Sequence, residues 1–451
     1  MFTQPLACVQ YYNQNGPPGP EIISNIISYF YTEGRRDAHH RIAPLAPLAV
    51  LCRHWQPLIE AETFRHLRLD ENAFRSTGIS REVLTPKRLS YVRKLVHVFP
   101  RAMRFPTHFD QWYANPSFDL ALKILFYQLR VTPLAWEPLI DLELVIPSVY
   151  THRITDHGDQ PEYVEPIRKL PDLPNLPMVR SLKFTNESFD LEPSPCAFMY
   201  IASKMKRLRV FDVTLSSSQS RKSLIHQRVE LAKSLFLLPM SIQIFTLTYH
   251  QHDDLPDGLL VVLDGEDILT RELRRFTQRK GLQHFVFDGC VEPSIFWPPD
   301  SNTSDPRHWP TLKSLIIDMH LVQELACFRA GEPFKKARHK KNWDRVYAKG
   351  GLMNDFYRAA AKCTACMPNA EINDIDFNDK WGRSLKFYAV LPERYPCLFI
   401  NGKPGFEIEK ETVVEWRKAV EVHNLVLKVH LDDVNDQDHA RNAFEPEEID
   451  G

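Results

Sequence analysis

From Phe64 onward one arrangement of apolar positions recurs along the chain: apolar, two variable positions, apolar, one variable position, apolar. It reads Phe64-Leu67-Leu69, Leu139-Leu142-Leu144, Val179-Leu182-Phe184, Leu208-Phe211-Val213 and Ile242-Phe245-Leu247. It continues as Leu282-Phe285-Phe287, Leu312-Leu315-Ile317, Ile372-Ile375-Phe377 and Val426-Val429-Leu431. Val92-Leu95 opens a further copy, which His97 breaks. Three apolar positions recur often by chance, so the flanks must carry the argument. Several copies follow a helical segment and a short stop: 195–204 before Leu208, 229–238 before Ile242, and 267–279 running to Gly281, a C-terminal stop residue. A helix over 353–366 ends at Met367-Pro368, and Thr412-Val-Val-Glu415 fits a capping box whose helix closes near His423-Asn424.

Helix, stop, short strand and loop, repeated, predict a strand-and-helix array of the α+β or α/β kind, built as an irregular leucine-rich-repeat-like solenoid. The central positions 182, 211, 245, 285 and 315 lie 29 to 40 residues apart, and longer gaps after 315 imply insertions. An open parallel α/β sheet has an overlapping signature and stands as the alternative.

Ahead of this array, residues 17–69 read PPGPEIISNIISYFYTEGRRDAHHRIAPLAPLAVLCRHWQPLIEAETFRHLRL. Gly19 and Pro20 suit the start of a helix, and Glu21 sits near its positive end. Ile22, Ile26 and Phe30 form one stripe, flanked by Ile23 and Ile27. Pro47 opens a second helix with Leu48, Leu51, Cys52 and Trp55 on one face, and Pro57 a third with Leu58 and Ile59. Three short helices leave apolar surface for a partner or for the next domain.

In order, Pro20-Glu21-Ile22, Ile26-Ile27, Leu48, Val50-Leu51-Cys52-Arg53-His54-Trp55 and Leu58-Ile59 resemble an F-box. Gly19 stands where that family usually has Leu, and the loop between the first two helices is long. With the repeats behind it, the chain resembles fungal F-box proteins with a leucine-rich-repeat-like C-terminal domain. The implied organisation is a flexible N-terminus over 1–16, a three-helix F-box over 17–62 and a substrate-binding repeat domain over 63–434. A basic insertion near 331–350 and a disordered acidic tail over 435–451 complete it. The implied role is the non-catalytic substrate-recognition subunit of an SCF-type ubiquitin ligase. The Skp-type adaptor, and through it cullin, would dock on Pro20, Ile22, Ile26, Ile27, Leu48, Val50, Leu51, Cys52, Trp55 and Leu58. A protein substrate of unknown identity would bind the repeats. The alternatives are a scaffold working outside any ligase and an unrecognised α/β enzyme.

Composition narrows the remaining choices. Among the 451 residues, 56 Lys+Arg nearly cancel 57 Asp+Glu, so no overall charge draws the chain to nucleic acid or membrane. No apolar stretch reaches the roughly 20 residues of a spanning helix, and the N-terminus lacks a secretory pattern, so a cytoplasmic or nuclear location is expected. Eight scattered cysteines in a chain of this size read as reduced thiols. Cys363-x-x-Cys366 has no second pair to complete a zinc site and reads as core, so no metal or cofactor is expected. Lys335-Lys-Ala-Arg-His-Lys-Lys341 reads as a solvated insertion, with an anion patch or import signal as its sharper alternative. Phe296-Trp297 and His308-Trp309 are either a binding hot spot or rings packed over the sheet end. The acidic pairs Asp253-Asp254 and Asp432-Asp433 have no linked nucleophile or His. Phosphate-loop, dinucleotide, zinc-protease, serine-hydrolase and kinase signatures are absent from the sequence.

Overall fold

The computed structural model describes residues 56–69, 85–99, 116–130, 140–146, 172–186, 194–217, 221–251, 262–263, 266–298, 308–319, 351–377, 383–388, 397–401, 408–423 and 428–432. In chain order these form α1 (Gln56–Thr63), β1 (His66–Leu69), α2 (Pro86–Leu89), β2 (Lys94–Val98), α3 (Pro116–Arg130), β3 (Ile140–Ile146) and β4 (Val179–Asn186). There follow α4 (Pro195–Ser203), β5 (Val210–Ser217), α5 (Arg221–Ser234), β6 (Ile244–Gln251), the two-residue strands β7 (Val262–Leu263) and β8 (Glu266–Asp267), and α6 (Ile268–Thr277). The remainder is β9 (His284–Asp288), β10 (Ser314–Met319), α7 (Gly351–Ala365), β11 (Ile372–Phe377), β12 (Arg383–Tyr388), β13 (Cys397–Asn401), α8 (Lys410–Val422) and β14 (Lys428–Asp432).

One 12-stranded sheet runs β1-β2-β3-β4-β5-β6-β9-β10-β11-β12-β13-β14, so its strands lie side by side in chain order. Every pairing from β1 to β11 is parallel. β11-β12 and β12-β13 are antiparallel, and β13-β14 is parallel again. Each recurring apolar triplet leads into one of these strands, and in β3 to β6, β9 and β10 its last two positions lie on one face and are buried. Along β4, β5, β6, β9 and β10 those positions are Leu182/Phe184, Phe211/Val213, Phe245/Leu247, Phe285/Phe287 and Leu315/Ile317, none more than 1% exposed. The register aligns them into rows across the sheet. Phe211 stacks on Phe245 at 5.5 Å, Phe245 meets Phe285 at 5.8 Å, and Phe276 of α6 closes on Phe245 at 4.8 Å.

The intervening strand positions, Lys183, Asp212, Thr246, Val286 and Ile316, are half-buried or exposed. A parallel sheet covered on both faces reads as continuous apolar runs; this alternation instead marks one fully buried face and one that, among the described residues, no helix covers. Local signals start the helices. Thr85 caps α2 and Ser194 caps α4, each followed by Pro at the first helical position, and Asp267 caps α6 through Thr270 N. Gly281 adopts φ +97° in the turn into β9, the left-handed conformation that favours glycine.

Two expectations are corrected. The leucine-rich-repeat-like solenoid is replaced by one α/β sheet. Several of its connections carry whole helices, 9 residues long in α4 and 14 in α5, its strands pair over as many as eight positions, and β12 returns antiparallel. Short apolar triplets with intervening helices occur in both architectures, which is why the sequence pattern did not separate them. The F-box family assignment also fails. Its expected third helix, α1, leads directly into β1 of the α/β sheet, and its Glu60 pairs with Arg88 of α2 at 3.3 Å. Leu58 lies half-buried in α1. Pro20, Ile22, Ile26, Ile27, Leu48, Val50, Leu51, Cys52 and Trp55 lie outside the described residues, as do the basic run 335–341, Asp253-Asp254 and the tail 435–451.

Smaller expectations resolve individually. Thr412 does not cap a helix. It lies inside α8, fully buried, and its hydroxyl donates to Asn354 Oδ1 at 2.9 Å. His97 occupies a core position of β2, edge-on to Phe99 at 4.7 Å, so the interrupted copy of the pattern is still a strand.

Candidate functional site

The carboxyl ends of parallel strands are where α/β sheets usually assemble chemistry. Here, beyond β6 and β9, the fold gathers Arg228 of α5, Glu266 and Asp267 of β8, Thr270 and Arg274 of α6, and Glu292 in the segment after β9. All six are buried. Gly289 lets this segment pass close to β6: a Cβ there would sit 2.8 Å from Phe287 Cζ and 3.3 Å from the Tyr249 carbonyl oxygen.

The geometry is that of a buried ionic network. Arg228 Nε and Nη2 donate to the two Asp267 oxygens at 2.9 and 2.6 Å, and Nη2 also donates to the Cys290 carbonyl at 2.8 Å. Asp267 Oδ2 further accepts from the backbone N–H and the hydroxyl of Thr270, both at 2.8 Å. Arg274 pairs with Glu266 and donates to the Ser294 carbonyl. Glu292 accepts from Asp267 N at 2.8 Å.

Burial by itself would raise the Asp267 pKa, but the charge and hydrogen bonds of Arg228, with the donors of Thr270, hold it below the ordinary carboxylate value. Burial likewise disfavours charged Arg228, and Asp267 outweighs it, leaving that pKa raised. Both groups are therefore locked in their charged forms. A carboxylate that neither releases nor accepts a proton near neutrality is a poor general base. The network is instead a brace that ties the segment after β9 to α5 and α6.

The open face of the sheet has the opposite character. Register places Glu143, Lys183, Asp212, Thr246, Val286 and Ile316 in one lateral row across β3, β4, β5, β6, β9 and β10. Lys183 reaches Asp212 at 3.5 Å, Lys94 reaches Glu143 at 3.3 Å, and Thr185 donates to Glu143 at 3.2 Å. The row passes from paired charges at β3–β5 to half-buried Val286 and Ile316 at β9–β10. A neighbouring row aligns Thr214, Thr248, Asp288 and Asp318.

Other candidates resolve as packing. Trp309 is fully buried, donates its indole N–H to Thr277 Oγ1 at 2.8 Å, and lies 6.5 Å from the Trp297 ring. These rings therefore pack over the sheet end. Cys363 is buried in α7 against Met367 Sδ at 3.7 Å, and burial pushes its thiol pKa well up. Among the described residues no group of His, Cys, Asp or Glu is arranged to hold a metal ion. Among the same residues no helix is long and apolar enough to cross a membrane.

The ionic network was not anticipated from sequence. Its one local signal is the acidic pair Glu266-Asp267 followed three residues later by Thr270, a helix-capping spacing. Arg228, 39 residues upstream of Asp267, carries no mark of its own.

These features define an α/β protein with a braced carboxyl edge and a sheet whose second face is, among the described residues, bare of helices. Comparison with known proteins places little beside it. No family model matches the chain, and no solved structure matches it. One stretch of 82 residues is 33% identical to the arginine N-acetyltransferase avaD of Aspergillus versicolor, covering 18% of this chain and 28% of that protein. The similarity thus spans less than a third of the acetyltransferase.

Proposed function

We propose that this chain is a non-catalytic interaction protein that binds a protein partner on the open face of its sheet. The observation that supports the reading is the burial pattern: one face lies beneath the helices, while the other presents half-buried side chains in ordered lateral rows. A rigid sheet holds such rows at fixed spacing, so binding loses little conformational entropy. The paired charges supply specificity, and Val286 and Ile316 supply apolar contact. The braced edge contributes rigidity rather than chemistry. The expected location of such a protein is the cytoplasm or nucleus.

Affinity capture with the full chain tests this. Proteins retained by the wild type should be lost with a Val286→Arg/Ile316→Arg variant and kept with Leu120→Arg, a change at an exposed position of α3. Equal capture by all three would overturn the reading.

The partial likeness to an arginine N-acetyltransferase favours one second reading, acetyl transfer to an amine- or guanidine-bearing substrate. Incubating the full chain with acetyl-CoA and arginine, followed by mass spectrometry, decides it. Time-dependent acetylarginine would replace the interaction reading.

A further inference from the structure

The opposite, amino-terminal edge of the sheet has a composition that the open face does not explain. Three successive helix-to-strand turns meet there, entering β5, β6 and β9. The first reads Lys204-Met-Lys-Arg-Leu-Arg209, the second Leu235-Phe-Leu-Leu-Pro-Met-Ser-Ile-Gln243, and the third Gln278-Arg-Lys-Gly-Leu-Gln283. None contains an acidic residue. Hydrogen bonds hold the turns together. Ser241 Oγ donates to the carbonyls of Lys206 and Leu208 at 2.9 and 2.8 Å, and the Arg279 guanidinium donates to those of Leu238 and Leu235 at 3.1 and 3.2 Å. A Cβ on Gly281 would lie 3.4 Å from the Met240 carbonyl, so the second and third turns are in contact.

On this fixed base the middle turn carries two large exposed apolar side chains, Phe236 (72% exposed) and Met240 (62%). Lys206 and Arg207 are exposed on the turn to one side, Lys280 on the turn to the other, and Lys233 in the last turn of α5. The helix macrodipole accounts for a lysine at the end of α5. It does not account for cations beyond the last helical turns, nor for exposed Phe and Met beside them. Neighbouring strands lie about 4.8 Å apart, so the edge reads cation, apolar, cation over about 10 Å.

We propose that this edge is a second docking surface, for an acidic peptide segment of a protein partner carrying a large apolar residue between its carboxylates. Such a segment complements the row in both charge and order: its apolar side chain packs on Phe236 and Met240 while carboxylates on either side meet Lys206, Arg207 and Lys280. This surface is distinct from the open face and does not depend on its role.

The test is fluorescence anisotropy with the full chain and a labelled peptide, Asp-Glu-Glu-Phe-Leu-Glu-Glu-Asp. Single-stranded RNA of matched charge and phosphatidylserine vesicles serve as competing probes. Saturable peptide binding is expected, weakened about tenfold by Arg207→Glu/Lys280→Glu and about fivefold by Phe236→Ser, and falling as salt rises. These positions are exposed, so the fold should be retained; Arg207→Gln/Lys280→Gln gives the same comparison if charge reversal perturbs it. Val286→Arg/Ile316→Arg should leave peptide binding unchanged, which separates this surface from the open face. Absence of saturable binding, equal binding by wild type and edge variants, or tighter binding of RNA or vesicles than of peptide would each overturn the proposal.

Discussion

His97 shows how one residue can sit against the pattern of its strand and still belong to the core. It is fully buried, and burial pulls its pKa down to about 4. In the unfolded chain a histidine titrates near 6.5. Between those values the unfolded chain binds a proton that the native state refuses. Stability should therefore fall as pH drops from about 6.5 to about 4, by up to about 1.4 kcal/mol per pH unit. His97→Leu should flatten that part of the curve in urea unfolding followed across pH; an unchanged slope would refute the assignment. Asp267 acts lower on the scale. Its folded pKa is depressed, so its contribution is complete above the ordinary carboxylate pKa and is lost as pH falls through the folded value. Asp267→Asn leaves Arg228 charged and buried, which should cost about 3–5 kcal/mol at neutral pH. The double change Arg228→Met/Asp267→Asn should restore much of that loss, because it leaves no buried charge while Asn keeps the α6 cap. Equal destabilisation by the single and double variants would show that the pair acts through packing alone.

At the scale of elements, the junction of α7 and α8 rests on Asn354. Its Oδ1 accepts from Glu409 N at 3.0 Å and from the Thr412 hydroxyl at 2.9 Å, satisfying the start of α8 from another helix. Arg358 of α7 adds an ion pair to Glu409 at 2.6 Å. Asn354→Ala removes the acceptor of one buried and one part-buried donor and should cost about 1–3 kcal/mol. Hydrogen exchange should then quicken in α8 while α4 to α6 keep their protection. The same junction shows what sequence can disclose. Thr412 and Glu415 have capping-box spacing, yet the true start lies earlier and is satisfied across 55 residues by Asn354, which no local pattern can report. Strands were legible because their burial alternates at period two, and Gly281 because a left-handed turn favours glycine. The ionic network was not, since Arg228 meets Asp267 only after two helices pack. The F-box resemblance went wrong at a similar point: Leu58-Ile59 fit a short motif, but the helix that carries them leads into β1 and is tied to α2 through Glu60 and Arg88.

For the whole molecule, strand order equal to chain order has a mechanical consequence. Helix contacts join sequence neighbours, α4 to α5, α5 to α6 and α7 to α8, and each strand pairs with those adjacent along the chain. Few contacts therefore bind distant parts of the sheet, and the free energy of local opening under native conditions should grade along it. β1 and β14 each have one strand neighbour among the described residues and should exchange fastest; β5, β6 and β9, locked by the phenylalanine row and the buried ion pairs, should exchange slowest. The brace lies near the middle of this order and ties α5, α6 and the segment after β9 together. Weakening it should separate the two halves energetically. Asp267→Asn is thus expected to split a single urea transition into two, with exchange accelerated first in β6 and β9. One coincident transition by fluorescence and circular dichroism in the variant, merely shifted to lower urea, would mean that the phenylalanine row alone couples the sheet. The outcome bears on binding as well. The basic edge spans the turns into β5, β6 and β9, so its spacing of cations around Phe236 and Met240 holds only while those three strands remain one unit.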